Sequence, residues 1–146
     1  MLRFLRRLFS PPAGSDAGTR GENLACEWLQ REQGFRLVIR NWRSPVDQRE
    51  EIDLVFRDGD VLVFVEVKAR AANALVPGYH AVDRRKKRAL RRAIRAYLAT
   101  LRPKMRTFRF DVVEVSFAEA GENGLEAEPQ VLHFENVPLF TKYFRG

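Results

Sequence analysis

The segment from Glu51 to Lys68, EIDLVFRDGDVLVFVEVK, constrains the fold more than any other part of the chain. Two runs of β-branched and aromatic residues flank Asp58-Gly59, the dipeptide type whose backbone best accepts the two positive φ angles of a type I′ hairpin turn. The spacing predicts a β-hairpin in which Arg57 faces Asp60, Val55 faces Leu62, Asp53 faces Phe64 and Glu51 faces Glu66. Strand side chains alternate with period two, so Glu51, Asp53, Glu66 and Lys68 are expected on one side. The other side, from Ile52, Leu54, Phe56, Val61, Val63, Val65 and Val67, is wholly apolar.

In this register Asp53 and Glu66 are diagonal neighbours, about 7 Å apart at Cβ, near enough to share one cation. Carboxylate oxygens suit a hard divalent ion such as Mg²⁺ or Mn²⁺, and Lys68 follows two residues on, where its charge can meet a phosphate or an attacking water. A Glu-x-Lys on an alternating strand is more often a solvated face carrying a cross-strand ion pair. Here the acidic side also carries Val55, Leu62 and Phe64, so both sides read as buried, and buried carboxylates need a partner or a metal.

Asp53 followed by Glu66-Val67-Lys68 resembles the PD-(D/E)xK nuclease signature. The longer strings EIDLV, FVEVKAR and RFDVV resemble the YraN family of bacterial proteins, predicted endonucleases related to archaeal Holliday junction resolvases. The resemblance runs from Gly18 to about Phe140. It implies a restriction-endonuclease-like core in which Asp53 and Glu66 hold Mg²⁺ or Mn²⁺, the Val67 carbonyl and Glu22 are further ligands, and Lys68 orients or activates water. Arg70 matches the basic residue that follows the family's lysine. Two positions depart from the family: Glu50 stands where Gly usually precedes Glu-Ile-Asp, and Leu75-Val76 stands where Phe-Gly is expected.

Lys and Arg number 26 against 19 Asp and Glu, a net charge of +7 that favours polyanionic partners. The single cysteine, Cys26, excludes an internal disulfide and fits a reducing cytoplasm. In the opening MLRFLRRLFS the apolar run is broken by Arg3, Arg6 and Arg7, so neither a membrane span nor a secretory signal is expected. Residues 1–18 read as a flexible basic segment grazing phosphates, with a short membrane-surface helix as the less favoured reading. Pro11-Pro12 and Gly14 mark a linker, and residues 19–146 read as a single nuclease domain.

From Thr19 to about Gln33 the apolar residues Leu24, Ala25, Trp28 and Leu29 recur at helical spacing, and Gly34 marks the stop. Glu22 has two readings of equal weight: the return partner of a Thr19 capping box, or an acidic residue delivered to the metal site by the first helix, as in the resembled nucleases. Phe35 to Trp42 reads as a strand. Ala71 to His80 reads as a loop, in which a histidine without a visible partner is more often inert.

Val82 to Leu101 is the clearest helix, with Leu90, Ala93, Ile94, Tyr97, Leu98 and Leu101 as its buried stripe. Its other faces gather Arg84, Arg85, Lys86, Lys87, Arg88, Arg91, Arg92 and Arg95 with no acidic residue between them. Like charges at i,i+4 repel, so the concentration suggests a phosphate-contacting ridge rather than an ordinary exposed charge run. The resemblance implies Lys86 as its member closest to the site. Thr107 to Phe117 reads as a strand parallel to the hairpin after the helical crossover, with Arg109 and Asp111 as a structural pair, and Gln130 to Phe134 as an edge strand.

The order predicts an α/β fold with a mixed central sheet flanked by helices. The expected function is metal-dependent endonucleolytic cleavage of nucleic acid, DNA favoured over RNA, with branched DNA implied by the resemblance alone. The rival is a catalytically inactive nucleic-acid-binding or adaptor protein that keeps the fold. A homodimer is required only if both strands of a junction are cut.

Overall fold

A computed structural model of the chain describes residues 17–71, 83–117, 124 and 127–140. Helix α1 (Ala17–Glu32) is followed by strands β1 (Arg36–Arg43), β2 (Glu51–Asp58) and β3 (Val61–Ala71), then helix α2 (Arg84–Thr100) and strands β4 (Phe108–Phe117) and β5 (Gln130–Phe134). The five strands form one mixed sheet in the order β1-β2-β3-β4-β5. Only β3 and β4 are parallel, joined across α2 as the strand-helix-strand order requires.

Alternation along the strands sends their side chains into two cores. Val55, Leu62, Phe64, Phe110 and Val112 pack with Leu90, Ala93, Ile94 and Tyr97 of α2, whereas Leu54, Phe56, Val63, Val65, Val113 and Val115 pack with Ala25, Cys26 and Leu29 of α1. The helices therefore cover opposite faces of an α/β sandwich, consistent with a restriction-endonuclease-like core. Asp83 caps α2, its carboxylate accepting the Lys86 N–H at 2.8 Å. Gly34, at φ 70°, ends α1. Among the described residues no helix is long and apolar enough to cross a membrane.

The hairpin forms with a different register from that expected. Arg57 lies opposite Leu62 and Asp58 opposite Val61, so the turn residues are Gly59-Asp60 rather than Asp58-Gly59. Gly59 supplies the positive φ, 58°, at the first central position. Asp58 thereby stays in the ladder, and its carboxylate receives Arg109 Nη1 at 2.9 Å. The β2–β3 ladder ends at the pair Leu54 with Val65, so Asp53 and Glu66 lie just past its last pair instead of diagonal to one another within it.

Strict alternation also fails at Asp53. Ile52 and Val55, three residues apart, both join the core under α2, while Leu54 joins the core under α1. The expected division into one acidic and one wholly apolar side therefore does not hold along β2. The neighbouring strand is irregular at the same level: Asn41, at φ 49°, sits between the pairs Arg40 with Leu54 and Trp42 with Ile52. This is a left-handed backbone that asparagine tolerates better than most residues.

Gly21 lets α1 lie close against β3. A Cβ built there would meet the Ala69 Cβ at 3.0 Å and the Ala69 Cα at 3.7 Å, with Val67 Cγ1 at 3.8 Å. Gly21→Val is expected to push the helix outward at a cost of about 1–3 kcal/mol, seen as a thermal midpoint several degrees lower. An unchanged midpoint would show that α1 is not seated as described.

The N-terminal segment to residue 16, the loop with Pro77-Gly78 and His80, most of the acidic loop before β5, and Tyr143 and Phe144 lie outside the described residues.

Candidate functional site

The break at Asp53 turns its carboxylate toward β3, where Oδ2 accepts the Val67 N–H at 2.8 Å. Asp53 is 8 % exposed and Glu66 2 %. Burial and the adjacent Glu66 charge push the Asp53 carboxyl up to about 8, as expected where two carboxylates share a poorly solvated space. Glu66 Oε1 is held by two ammonium groups, Lys68 Nζ at 3.2 Å and Lys86 Nζ at 3.3 Å. Its other oxygen, Oε2, is buried and has no hydrogen-bond partner among the described residues. An unsatisfied buried carboxylate oxygen costs on the order of several kcal/mol unless a cation or donor reaches it.

Glu22 is not the arm of a capping box. Helix α1 begins at Ala17, so Thr19 lies within its first turn rather than at its cap. Burial raises the Glu22 carboxyl; Arg40 opposes that rise, the charges of Glu51 and Glu66 add to it, and a hydrogen bond from Asn41 also opposes it. Glu22 therefore belongs to the electrostatic neighbourhood of Glu66. Glu51, its companion on β2, pairs with Arg43 at 3.3 Å.

The donor set suits a hard divalent ion carried in part by water and substrate. Among the described residues no three acidic, histidine or cysteine side chains converge into a ready-made cage. Mg²⁺ is commonly held by only one or two carboxylates together with phosphate oxygens, and Asp53 with Glu66 Oε2 meets that requirement.

The basic residues of α2 divide in a way their spacing did not foretell. Lys86 reaches Glu66, and although burial works against its charge, the Glu66 and Asp53 carboxylates outweigh that and hold its pKa above the ordinary value. Arg92 Nε binds Glu50 at 2.8 Å and Arg91 donates to the Leu139 carbonyl at 3.1 Å. Arg95 lies over the Phe140 ring. Arg84, Arg85 and Arg88 are exposed and Lys87 is half-buried. The Glu50–Arg92 pair gives Glu50 a structural role, since it ties the loop before β2 to α2. On β3, Arg70 is half-buried, and its Nη1 has no hydrogen-bond partner among the described residues.

Three neighbours of the site escaped the sequence reading. Asn41 binds Glu22, and Arg40 stands beside the same carboxylate. Glu114 is buried on β4 directly across from Lys68. Only Glu114 left a local trace, a lone acid between valines in a strand expected to be buried.

The mixed five-stranded sheet with a helix on each face is an α/β architecture consistent with a nuclease-like core, and it carries a buried acid pair and two lysines at a broken hairpin. The model of the uncharacterised protein family UPF0102 matches residues 21–115, and the chain belongs to this family, the YraN family. It is 44% identical over 109 residues to a UPF0102 protein of Beutenbergia cavernae, covering 75% of this chain and 89% of that one. It is 40% identical over 117 residues to one of Anaeromyxobacter dehalogenans (80% and 79% covered) and 30% over 107 residues to one of Dictyoglomus thermophilum (73% and 87%). The matched span contains Glu22, Asp53, Glu66, Lys68 and Lys86 and stops short of β5.

Proposed function

We propose that the protein is a metal-dependent endonuclease that hydrolyses phosphodiester bonds in DNA, branched DNA included. The observation that carries this reading is the buried acid pair Asp53 and Glu66, whose charges act on one another, with Glu66 Oε2 unpartnered among the described residues and Oε1 gripped by two lysines. Asp53 and Glu66 would hold Mg²⁺ or Mn²⁺, with Glu22 and the Val67 carbonyl as further ligands. Bound there, the ion would acidify a water and offset charge developing on the phosphoryl group. Lys68 passes from Glu66 to the attacking water or the phosphate, orienting one against the other. Lys86, released from the same oxygen, binds a non-bridging phosphate oxygen. The exposed arginines at the start of α2 hold the flanking backbone, supplying affinity without base recognition.

Residues 19–146 act as one domain in this reading, and cutting two strands of a junction takes two copies. A second reading, a DNA-binding adaptor without catalysis, draws on one observation: Lys68 and Lys86 both pair with Glu66 Oε1 and balance its charge.

Calorimetric titration of Mn²⁺ into wild type and Asp53→Asn separates the two, with Mn²⁺-dependent cleavage of linear, flapped and four-way DNA measured alongside. The nuclease reading expects uptake by wild type, at least ~10-fold weaker binding by the variant, and cutting that disappears with it. Wild-type protein that binds DNA yet takes up no metal and cuts none of the substrates would sustain the adaptor instead.

A further inference from the structure

The end of the sheet away from the acid pair gathers a second group of cations. Asp53 lies near the start of β2 and Glu66 toward the end of β3, whereas Arg57 lies at the far end of β2, about 13 Å along the strand from Asp53 at the usual rise. Arg36, the first residue of β1, is exposed and pairs directly with Arg57 across the ladder. Leu62, opposite Arg57 on β3, packs in the core under α2, so Arg57 and Arg36 project from the α2 side. There Arg57 Nη2 donates to the Met105 thioether at 3.6 Å, a weak and uncharged acceptor.

Met105 belongs to the connection from α2 to β4, LRPKMRT, which carries three cations and no acid. Arg102 donates to the Ala99 and Leu101 carbonyls, at 3.0 and 2.7 Å, and so closes α2. Lys104 and Arg106, on either side of Met105, are exposed. Of the two acids at the hairpin turn, Asp58 receives Arg109 at 2.9 Å, which leaves Asp60 against Arg36, Arg57, Lys104 and Arg106. Like charges directly opposite on paired strands repel, and an anion between them relieves that repulsion.

Helix α2 connects this end with the candidate site. Arg88 and Arg92, one turn apart and both exposed, share a face that the Arg92–Glu50 pair turns toward β1 and β2. From Lys86, at Glu66, to Thr100 the helix rises about 21 Å, the length of about six base-pair steps.

We propose that the sheet end opposite the acid pair is a second phosphate-binding surface, in which Arg36, Arg57, Lys104 and Arg106 hold the nucleic-acid backbone that α2 leads away from Asp53 and Glu66. The proposal rests on the nuclease reading only in taking nucleic acid as the partner, and it needs no metal. Bound DNA is then gripped at two points, by Lys86 and its neighbours at one end of α2 and by this group at the other.

The test is fluorescence anisotropy of a labelled DNA duplex in EDTA across a salt series. It compares wild type with Lys104→Ala/Arg106→Ala and with the triple variant that adds Arg36→Ala. Arg31→Ala/Arg43→Ala removes as much charge as the double variant, but from the α1 side. Each variant is first shown by circular dichroism to be folded. Each phosphate contact contributes about 0.9 to the slope of log affinity against log salt. The double variant is therefore expected to lose about two from the slope and the triple variant between two and three, while the α1-side control loses less than one. Affinity at low salt should fall at least ~10-fold in the triple variant. A loss of equal size in the α1-side control would trace the effect to net charge and overturn the second surface. A wild-type slope retained by the triple variant, while Arg84→Ala/Arg88→Ala lowers it, also overturns that surface and leaves the nuclease reading intact. Wild-type protein that binds no DNA overturns both.

Discussion

Lys68→Ala is expected to lower the single-turnover rate of Mn²⁺-dependent DNA cleavage by about 10²–10⁴-fold, the usual worth of a positioned proton-transfer or charge-stabilising group, while divalent-metal uptake persists. The geometry dictates the split. Glu66 Oε1 has two ammonium partners, so removing Lys68 leaves Lys86 at 3.3 Å and the carboxylate remains compensated. Loss of one positive charge beside the acid pair favours a second cation, so uptake should hold or tighten. Glu66→Gln is the contrasting variant: it removes a ligand charge and strands both lysines, and metal uptake and cleavage should fall together. A Lys68→Ala protein that cuts at the wild-type rate would remove the lysine from the chemistry. One that loses metal binding as completely as Glu66→Gln would make Lys68 a structural support for Glu66.

Asp111→Asn is expected to destabilise the fold by about 3 kcal/mol at pH 7, lowering the thermal midpoint by about 10 °C. Asp111 is fully buried on β4 and accepts from three elements: Arg109 Nε at 3.0 Å, His133 Nε2 of β5 at 2.8 Å, and the Asn136 N–H at 2.9 Å. His133 is enclosed edge-to-face by Trp28 and Phe35. Burial alone would raise the Asp111 carboxyl, but the hydrogen bonds from His133, Arg109 and the Asn136 amide outweigh it and hold it below the ordinary 3.8. A depressed carboxylate adds stability above the unfolded pKa and loses it as pH falls through the lower folded value. Urea unfolding should therefore show the full deficit of the variant at pH 7 and a shrinking one below about pH 4. A deficit equal at both pH values would mean that shape rather than charge secures β5 to β4.

What could be read from the chain was what its local periodicity encodes. The α2 stripe, Leu90, Ala93, Ile94, Tyr97 and Leu98, is buried as its helical spacing required. The strand at Gln130–Phe134, the parallel placement of β4 and the α/β class followed in the same way, because alternation and turn residues act over a few positions. Asp53 and Glu66 stood out as acids in strands apolar on both sides, and the structure brings them together.

The register of that meeting belonged to the tertiary structure. Asp58-Gly59 and Gly59-Asp60 both make two-residue turns, and Arg109, 51 residues along the chain from Asp58, favours keeping Asp58 in the ladder. The break in alternation at Asp53 coincides with the left-handed Asn41 on another strand, which no period within β2 can report. Glu22 reads equally as a cap or a site residue until the helix start at Ala17 removes Thr19 from the cap position. The eight basic residues of α2 look alike in sequence, yet Lys86 reaches Glu66 and Arg92 reaches Glu50, because charge becomes specific only when packing sets the distance to its partner.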